Sequence, residues 1–290
     1  FKYQEQVTGN AWSTGNSMNT ARAQLAGAGT QTAALGFGGT TPPVSALTES
    51  YNGSSWTEVA DLNTARRLIA GTGTQTSSLA FGGHAPSVTA ATESWNGSSW
   101  TEVADLNTAR VALAAAGADN TSALAFGGLN PPTFYANTES WNGSSWTELN
   151  DLNTARRDLG GNGIITSALA YGGDTPGATA ATESWNGTSW FEVNNLNTAR
   201  RLAGAGTDNT NALGIGGETP GGASALTESW NGSIWTETSD LNTARQELGA
   251  TGASNSSALA FGGSLNPPAV AFTEEWNAGI NLGAWYTGGS

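Results

Sequence analysis

The chain has 290 residues and a net charge of −13, and its forty Gly, twelve Trp and 11% charged residues exclude a helical bundle and a disordered chain. The absence of Cys excludes disulfides, thiolate metal sites and Cys nucleophiles, and a single His, His84, argues against a multi-histidine metal centre or a catalytic triad. Because phosphate backbones are bound by clustered Lys and Arg, the acidic balance also predicts no nucleic-acid partner.

The first predicted element is a strand around Trp12. This Trp lies seven residues before Asn19. The same spacing separates Trp100 from Asn107, so the N-terminal strand has the sequence of the last strand of a repeat, without the earlier strands ahead of it. The chain has neither a secretory signal pattern nor a stretch of roughly 18 apolar residues, so we expect no membrane insertion.

Six copies of a repeat follow, at intervals of 44 to 46 residues. Each copy opens on Asn-Thr-Ala-Arg and continues with a Gly-rich apolar run, a polar turn and a second run that ends on Gly-Gly. A loop of variable sequence then leads to a segment with two aromatic residues, as at 92–102. In the second copy this pattern predicts strands at about residues 67–73, 78–83, 90–96 and 99–104. Asn96-Gly97 predicts a two-residue hairpin turn, because Asn and Gly both tolerate a positive φ.

Four short strands in about 45 residues are typical of one blade of a β-propeller, in which sheets pack face to face around an axis. The small residues of the first two strands fit the crowded axis, and the Trp belong farther out. The sequence therefore predicts an all-β fold, a six-bladed β-propeller of four-stranded blades that forms a single domain over residues 1–290.

Closure of the ring follows from the chain ends. We expect the strand around Trp12 to complete the sixth blade beside the strand around Trp276, so that pairing of the N- and C-terminal strands closes the propeller. Trp285 is a second candidate for the same place. It follows a segment at 278–284 that we expect to be irregular.

Several features of the copies resemble the kelch repeat. These are the Gly-Gly pair that ends the second strand, an aromatic residue in the third strand, a Trp in the fourth and an Arg that opens the next copy. The resemblance covers nearly the whole chain and implies a propeller of kelch-like blades whose strands run outward from the axis in chain order. The strings Leu-Asn-Thr-Ala-Arg and Trp-Asn-Gly-Ser-Ser-Trp are also similar to kelch-like repeat arrays of structural proteins of marine bacteriophages.

Arg and Glu recur together at fixed positions of the repeat. We predict that they form a ring of ion pairs that ties the blades together, because an Arg–carboxylate pair has a defined geometry. The alternative is an anion site in which the same Arg line the axis. The Arg are Arg22, Arg66, Arg110, Arg156, Arg200 and Arg245, and the Glu are Glu49, Glu93, Glu139, Glu183, Glu228 and Glu274.

Two other repeated residue types have structural and functional interpretations. The Trp are predicted to pack between blades, and an aromatic platform for sugar stacking is the alternative. An Asp precedes Leu-Asn-Thr-Ala-Arg in four copies, where it could cap a turn or bind Ca²⁺. These residues are Asp61, Asp105, Asp151 and Asp240.

The copies differ mainly in the loops after Gly-Gly and in the positions after the Arg. In a propeller these loops emerge on the same face as the connections between blades, and variable loops on a rigid repeat scaffold are a common place for a binding surface. The predicted contacts are His84, Phe134, Tyr135, Asp174 and Glu218 in the loops, and Arg67, Asp158 and Arg201 after the Arg. The first choices are Phe134, Tyr135 and His84, since exposed aromatic residues are good anchors.

Repeated residues serve the scaffold by default, so no catalytic site, metal site or cofactor is predicted. We expect a non-enzymatic binding or adhesion module, extracellular or on a virion surface, whose partner is a surface glycan or a protein receptor. A structural virion or scaffold subunit that binds sister proteins through its outer strands is the first alternative. A sugar-active kelch-like enzyme is the second, and its candidate acids are Asp158, Asp174, Glu218 and Glu247.

Overall fold

The computed structural model describes residues 2–5, 8–281 and 284–287. In this part of the chain all regular structure is β-strand, and no helix is present that could span a membrane. Six four-stranded antiparallel sheets are arranged as the blades of a β-propeller. The predicted fold class is therefore confirmed.

The strands of the first half of the chain follow the repeat. β1 (Lys2–Glu5) and β2 (Thr8–Gly15) precede the first copy. The first blade contains β3 (Ala26–Thr30), β4 (Ala33–Phe37), β5 (Thr48–Tyr51) and β6 (Trp56–Val59). The second contains β7 (Ala70–Thr74), β8 (Ser77–Phe81), the short hairpin β9 (His84–Ala85) and β10 (Ser87–Val88), β11 (Thr92–Trp95) and β12 (Trp100–Val103). The third contains β13 (Ala114–Asp119), β14 (Ser122–Phe126), the short hairpin β15 (Leu129–Asn130) and β16 (Thr133–Phe134), β17 (Thr138–Trp141) and β18 (Trp146–Glu148).

The second half continues the pattern. The fourth blade contains β19 (Gly160–Ile164), β20 (Ser167–Tyr171), β21 (Thr182–Trp185) and β22 (Trp190–Val193). The fifth contains β23 (Arg201–Asp208), β24 (Asn211–Thr219), β25 (Gly222–Trp230) and β26 (Trp235–Glu237). The sixth takes β27 (Gly249–Ser254), β28 (Ser257–Phe261) and β29 (Thr273–Asn281) from the last copy, and β30 (Ala284–Thr287) follows.

In the first five blades the four long strands pair in chain order. The turn between the third and fourth strands differs from the prediction. Trp95 is the register partner of Trp100, so the turn has four residues, 96–99, rather than two. Asn96 Oδ1 accepts the backbone N–H groups of Ser98 and Ser99, both over 2.9 Å. Gly97 has φ +90°, which explains why Gly stands there.

Aromatic side chains of one blade pack against the next, as predicted for the Trp. Phe37 of the first blade lies 4.9 Å from Trp100 of the second, measured between ring centroids, and Trp100 Nε1 donates to Thr48 Oγ1 of the first blade over 3.1 Å. Gly71 is required beside them, since a Cβ there would stand 2.3 Å from the Phe37 ring. The first strands of all six blades, rich in such Gly and Ala, surround the axis.

The N-terminal strand closes the ring. β2 pairs with β29 in antiparallel register, with Trp12 opposite Trp276, and the sixth blade is therefore completed from both ends of the chain. The segment after Trp276 continues β29 to Asn281, and the predicted irregularity is limited there to a register shift against β2 at residues 278 and 279. Trp285 does not occupy the fourth-strand place: it lies in β30, which pairs with β1 in a separate two-stranded sheet. Residues 282 and 283 of the predicted irregular segment lie outside the described residues.

Candidate functional site

One Glu in each blade anchors the connection that enters the blade. In the second blade Asn63 donates its backbone N–H and its Nδ2 to Glu93 Oε2, over 2.7 and 2.9 Å. Arg66 Nη2 donates to Glu93 Oε1 over 2.8 Å. The role of the Asn in Asn-Thr-Ala-Arg was not predicted, although its recurrence in all six copies was the available signal.

The same ion pair forms in every blade. All six guanidinium side chains are 0% exposed, and burial lowers the pKa of Arg66, a shift that Glu93 opposes. Because these Arg are buried and paired, they offer no surface to a ligand, and the geometry favours the structural interpretation. The pairs are Arg22–Glu49, Arg66–Glu93, Arg110–Glu139, Arg156–Glu183, Arg200–Glu228 and Arg245–Glu274.

The Asp before Leu-Asn-Thr-Ala-Arg serves the backbone. Asp105 Oδ1 accepts the N–H of Thr92, at the start of the third strand of its blade, over 3.2 Å. In the fourth blade Asn195 accepts the N–H of Thr182 in the same way without a charge, which favours turn capping over Ca²⁺ binding. Within the described residues no group of three or more acidic or His side chains could hold a metal ion.

The variable residues predicted to form the binding surface meet across short backbone bridges. We call the side of the propeller that carries the loops after Gly-Gly and the connections between blades the top face. On it, the residue after each Arg pairs with the residue after each Gly-Gly. The six bridges are Ala23–Thr40, Arg67–His84, Val111–Leu129, Arg157–Asp174, Arg201–Glu218 and Gln246–Ser264.

Ion pairs occupy the bridges of the fourth and fifth blades. Arg157 donates through Nε and Nη2 to Asp174 Oδ2, over 3.3 and 3.0 Å. Arg201 donates to the same oxygen over 2.8 Å and to Glu218 Oε2 over 2.6 Å. Burial alone would raise the pKa of Asp174, but the Gly177 N–H and the two guanidiniums outweigh it and lower this pKa.

The next residue along each connection faces the propeller axis. Five of these residues have an unusual positive φ between 51° and 58°, and backbone hydrogen bonds link them from blade to blade, such as Leu68 N to Gln24 O over 2.9 Å. They surround a cavity of about 150 Å³ on the axis, which we call the axial cavity. The five residues are Gln24, Leu68, Ala112, Asp158 and Glu247.

Asp158 lines the axial cavity and has a raised pKa. Burial raises its pKa to about 6, Arg157 and Arg201 oppose the shift, and Glu247 adds to it. Arg201 also lines the axial cavity, so the predicted contacts Asp158 and Arg201 lie at one site. Across the rim, Gln24 links Arg67 to Glu247 through hydrogen bonds of 3.2 and 2.8 Å.

Two aromatic residues of the third blade, Phe134 and Tyr135, were predicted as contacts. Arg157 stands over the Phe134 ring, with 5.8 Å from Cζ to the ring centroid. Phe134, like Leu68 and Val88, packs against the buried cluster of Val111, Ala112 and Leu129. Tyr135 holds the loop through its backbone, by donating to Gly128 O and accepting from Arg156 N. Sequence reasoning missed Arg157, although it occupies the same position as Arg67 and Arg201.

The fold and the site thus define a six-bladed β-propeller in which the bridges of the second, fourth and fifth blades place non-repeated charged residues on the top face. A scan against protein-family models finds no match, and a search of curated proteins finds none either.

Proposed function

We propose that the chain is a non-enzymatic binding or adhesion module that recognises a surface glycan or a protein receptor through its top face. The observation that supports this most is the placement of sequence variation. Residues that repeat in every copy make the buried ion pairs and the packing between blades, whereas several non-repeated charged and aromatic residues, among them Arg67, His84 and Phe134, lie on the top face. Such a division is typical of repeat scaffolds that bind through loops.

We further propose that the blades are kelch repeats, related to the arrays in structural proteins of marine bacteriophages. The Gly-Gly pairs, the two aromatic positions and the opening Arg support the assignment to kelch repeats. The strings Leu-Asn-Thr-Ala-Arg and Trp-Asn-Gly-Ser-Ser-Trp support the relation to the bacteriophage arrays. On this proposal the chain acts at a virion or cell surface.

A scaffold subunit that contacts sister proteins is the second candidate. It is favoured by two exposed apolar side chains on the outer part of neighbouring blades, Phe191 at 52% exposure and Ile234 at 51%. Phe191 stands where most other copies have Thr, and Ile234 where most have Ser. Contiguous exposed apolar surface often marks a protein contact, and on this proposal both side chains belong to the contact with sister proteins.

Binding of the purified chain to a panel of bacterial surface glycans and receptor proteins tests the proposal. The control is a variant in which residues 129–137, which contain Phe134 and Tyr135, are replaced by Gly and Ser. A binding partner that is lost in this variant supports the top face as the site. Equal binding by the variant, or no binding across the panel, contradicts the proposal and favours the scaffold subunit.

A further inference from the structure

Arg67 differs from every other Arg of the chain. Eight of the nine Arg have a carboxylate oxygen within 4.0 Å, and among the described residues Arg67 has none. In a chain with 23 acidic residues and a net charge of −13, an Arg without an acidic neighbour is unexpected. It lies half-buried on the top face.

Arg157 and Arg201 occupy the same repeat position as Arg67 in the fourth and fifth blades, so they can be compared with it directly. The bridge partner of Arg157 is Asp174 and that of Arg201 is Glu218, and each acid accepts hydrogen bonds from its Arg. In the second blade the bridge partner of Arg67 is His84, so the carboxylate that fills this place in the fourth and fifth blades is missing.

One ring or guanidinium nitrogen of each side chain has no partner in the described part of the chain, and the one in Arg67 is a donor that a carboxylate would satisfy. Arg157 uses its Nε and Nη2 for Asp174, whereas Arg67 Nε is shielded from solvent and has no hydrogen-bond partner among the described residues. His84 Nδ1 is also shielded from solvent and has no hydrogen-bond partner among the described residues. The only hydrogen bond of the Arg67 side chain to a described residue is the one from Nη1 to Gln24. Unpaired shielded polar atoms are costly, so both side chains gain from a partner.

Arg67 and His84 are held side by side. Arg67 N donates to His84 O over 3.2 Å, and His84 N donates to Arg67 O over 2.8 Å. Residues that exchange two backbone hydrogen bonds in an antiparallel pair have their side chains on the same face, at about 5 Å between Cβ atoms. One carboxylate can therefore contact both side chains.

An apolar surface borders this pair. Val88 is the register partner of His84, and Val88, Leu68 and Phe134 pack against the same buried cluster of Val111, Ala112 and Leu129. A ligand at this place therefore meets a cation and an imidazole on one side and an aliphatic and aromatic surface on the other. A sugar acid presents a carboxylate next to a ring with C–H groups, which matches both parts.

We propose that Arg67 and His84 bind the carboxylate of an acidic sugar, whose ring packs against Val88 and Phe134. This inference rests on the proposed function and names the class of glycan that the top face takes. The guanidinium supplies a charge-assisted hydrogen bond to the carboxylate, of the kind that Asp174 and Glu218 receive inside the protein.

The first test is calorimetric titration with an oligomer of galacturonic acid and with the matched oligomer of galactose. We expect the wild-type chain to bind the acidic oligomer at least about tenfold more tightly, and Arg67→Gln to lose that preference. Ser98→Asp is the control, because it changes the net charge by the same amount in an exposed turn on the opposite side of the second blade. It should bind both oligomers as the wild type does.

A second variant keeps the test valid even if Arg67→Gln folds poorly. His84→Asp gives Arg67 the carboxylate that Asp174 gives Arg157. We expect it to raise the thermal midpoint by about 2–4 °C and to abolish the preference for the acidic oligomer. Unchanged binding of the acidic oligomer by His84→Asp would overturn the proposal.

The remaining outcomes separate this inference from the proposed function. A neutral glycan that is lost in the 129–137 variant but bound normally by Arg67→Gln overturns the inference and leaves the proposed function standing. Binding of the galacturonic oligomer that both point variants lose supports the inference and the proposed function together. No binding of the galacturonic oligomer, with no binding across the panel of bacterial glycans and receptors, overturns both. Tighter binding of an oligoglutamate peptide than of the galacturonic oligomer overturns the assignment to a sugar.

Discussion

At the scale of single residues, the buried Arg–Glu pairs show how a few side chains hold the connections between blades. Glu93 accepts hydrogen bonds from Arg66 and from both the backbone and the side chain of Asn63. It is 1% exposed, so these donors replace the water that the carboxylate loses on folding. Recurrence in six copies was enough to predict the pairs, because an acid and a base that always occur together satisfy each other.

Glu93→Gln should destabilise the protein strongly, because it leaves the Arg66 charge buried without a counterion. We expect a loss of about 3–5 kcal/mol in the free energy of unfolding, measured with urea. Glu102→Gln is the matched control: it is the register partner of Glu93 but is exposed, and it should change stability by less than about 0.5 kcal/mol. Equal effects of the two variants would show that the pair does not carry the stability assigned to it.

Asp158 predicts a pH dependence of stability. Its pKa is raised from 3.8 to about 6, mainly by burial, so the folded chain binds this proton more tightly than the unfolded chain does. The stabilising contribution of the protonated form is therefore complete below about pH 4 and is lost as the pH rises through about 6. Asp158→Asn should be more stable than the wild type by about 1–2 kcal/mol at pH 8 and equally stable near pH 4.

The control for Asp158→Asn is Glu192→Gln, which removes an exposed acid of the fourth blade and should leave the pH dependence unchanged. A stability difference that does not vary between pH 4 and pH 8 would contradict the raised pKa of Asp158. A raised carboxylate pKa is also what a sugar-active enzyme would use as an acid. That alternative predicts release of reducing sugar from panel glycans by the wild type and not by Asp158→Asn, whereas the binding module releases none.

At the scale of elements, the sequence predicts most of the blades but not their details. Strands in the second copy were predicted at 67–73 and 78–83, and β7 and β8 span Ala70–Thr74 and Ser77–Phe81, because Gly-Gly marks the end of a strand. The four-residue turn after Trp95 was predicted as a shorter one. The Asn-Gly pair predicted a two-residue turn with a positive φ at both residues. In the structure Asn96 instead accepts two backbone N–H groups through its side chain.

β2 is the element on which closure depends. Trp12 packs against Trp276 with 5.4 Å between ring centroids, and its Nε1 donates to Thr227 Oγ1 of the fifth blade over 3.1 Å. Removal of residues 1–15 should therefore lower the thermal midpoint by about 10 °C or more, measured by circular dichroism. Removal of residues 1–5 deletes only β1 and is the control, with a midpoint close to that of the full chain. Similar midpoints for both truncations would contradict closure by β2.

At the scale of the whole molecule, the candidate site was predicted as a set of residues but not as an arrangement. Variation among the copies was sufficient to select Arg67, His84, Phe134 and Asp174. What the sequence did not predict is that the residue after each Arg pairs with the residue after each Gly-Gly. This register brings together residues 17 or 18 apart, and it depends on how the loop folds back over the connection. The empty carboxylate position beside Arg67 is visible only once that register is known.

The measurement that tests the central claim most directly asks which side of the propeller contacts the partner. The chain has no Cys, so Ser87→Cys on the top face and Ser98→Cys in the turn on the opposite side each give one exposed thiol for a bulky polyethylene glycol maleimide. Binding of both conjugates to the panel of surface glycans and receptors is then compared with the unmodified chain. We predict that the polymer at residue 87 abolishes binding and that the polymer at residue 98 leaves it within about twofold. Loss of binding with the polymer at residue 98, and retention with the polymer at residue 87, would contradict a binding site on the top face.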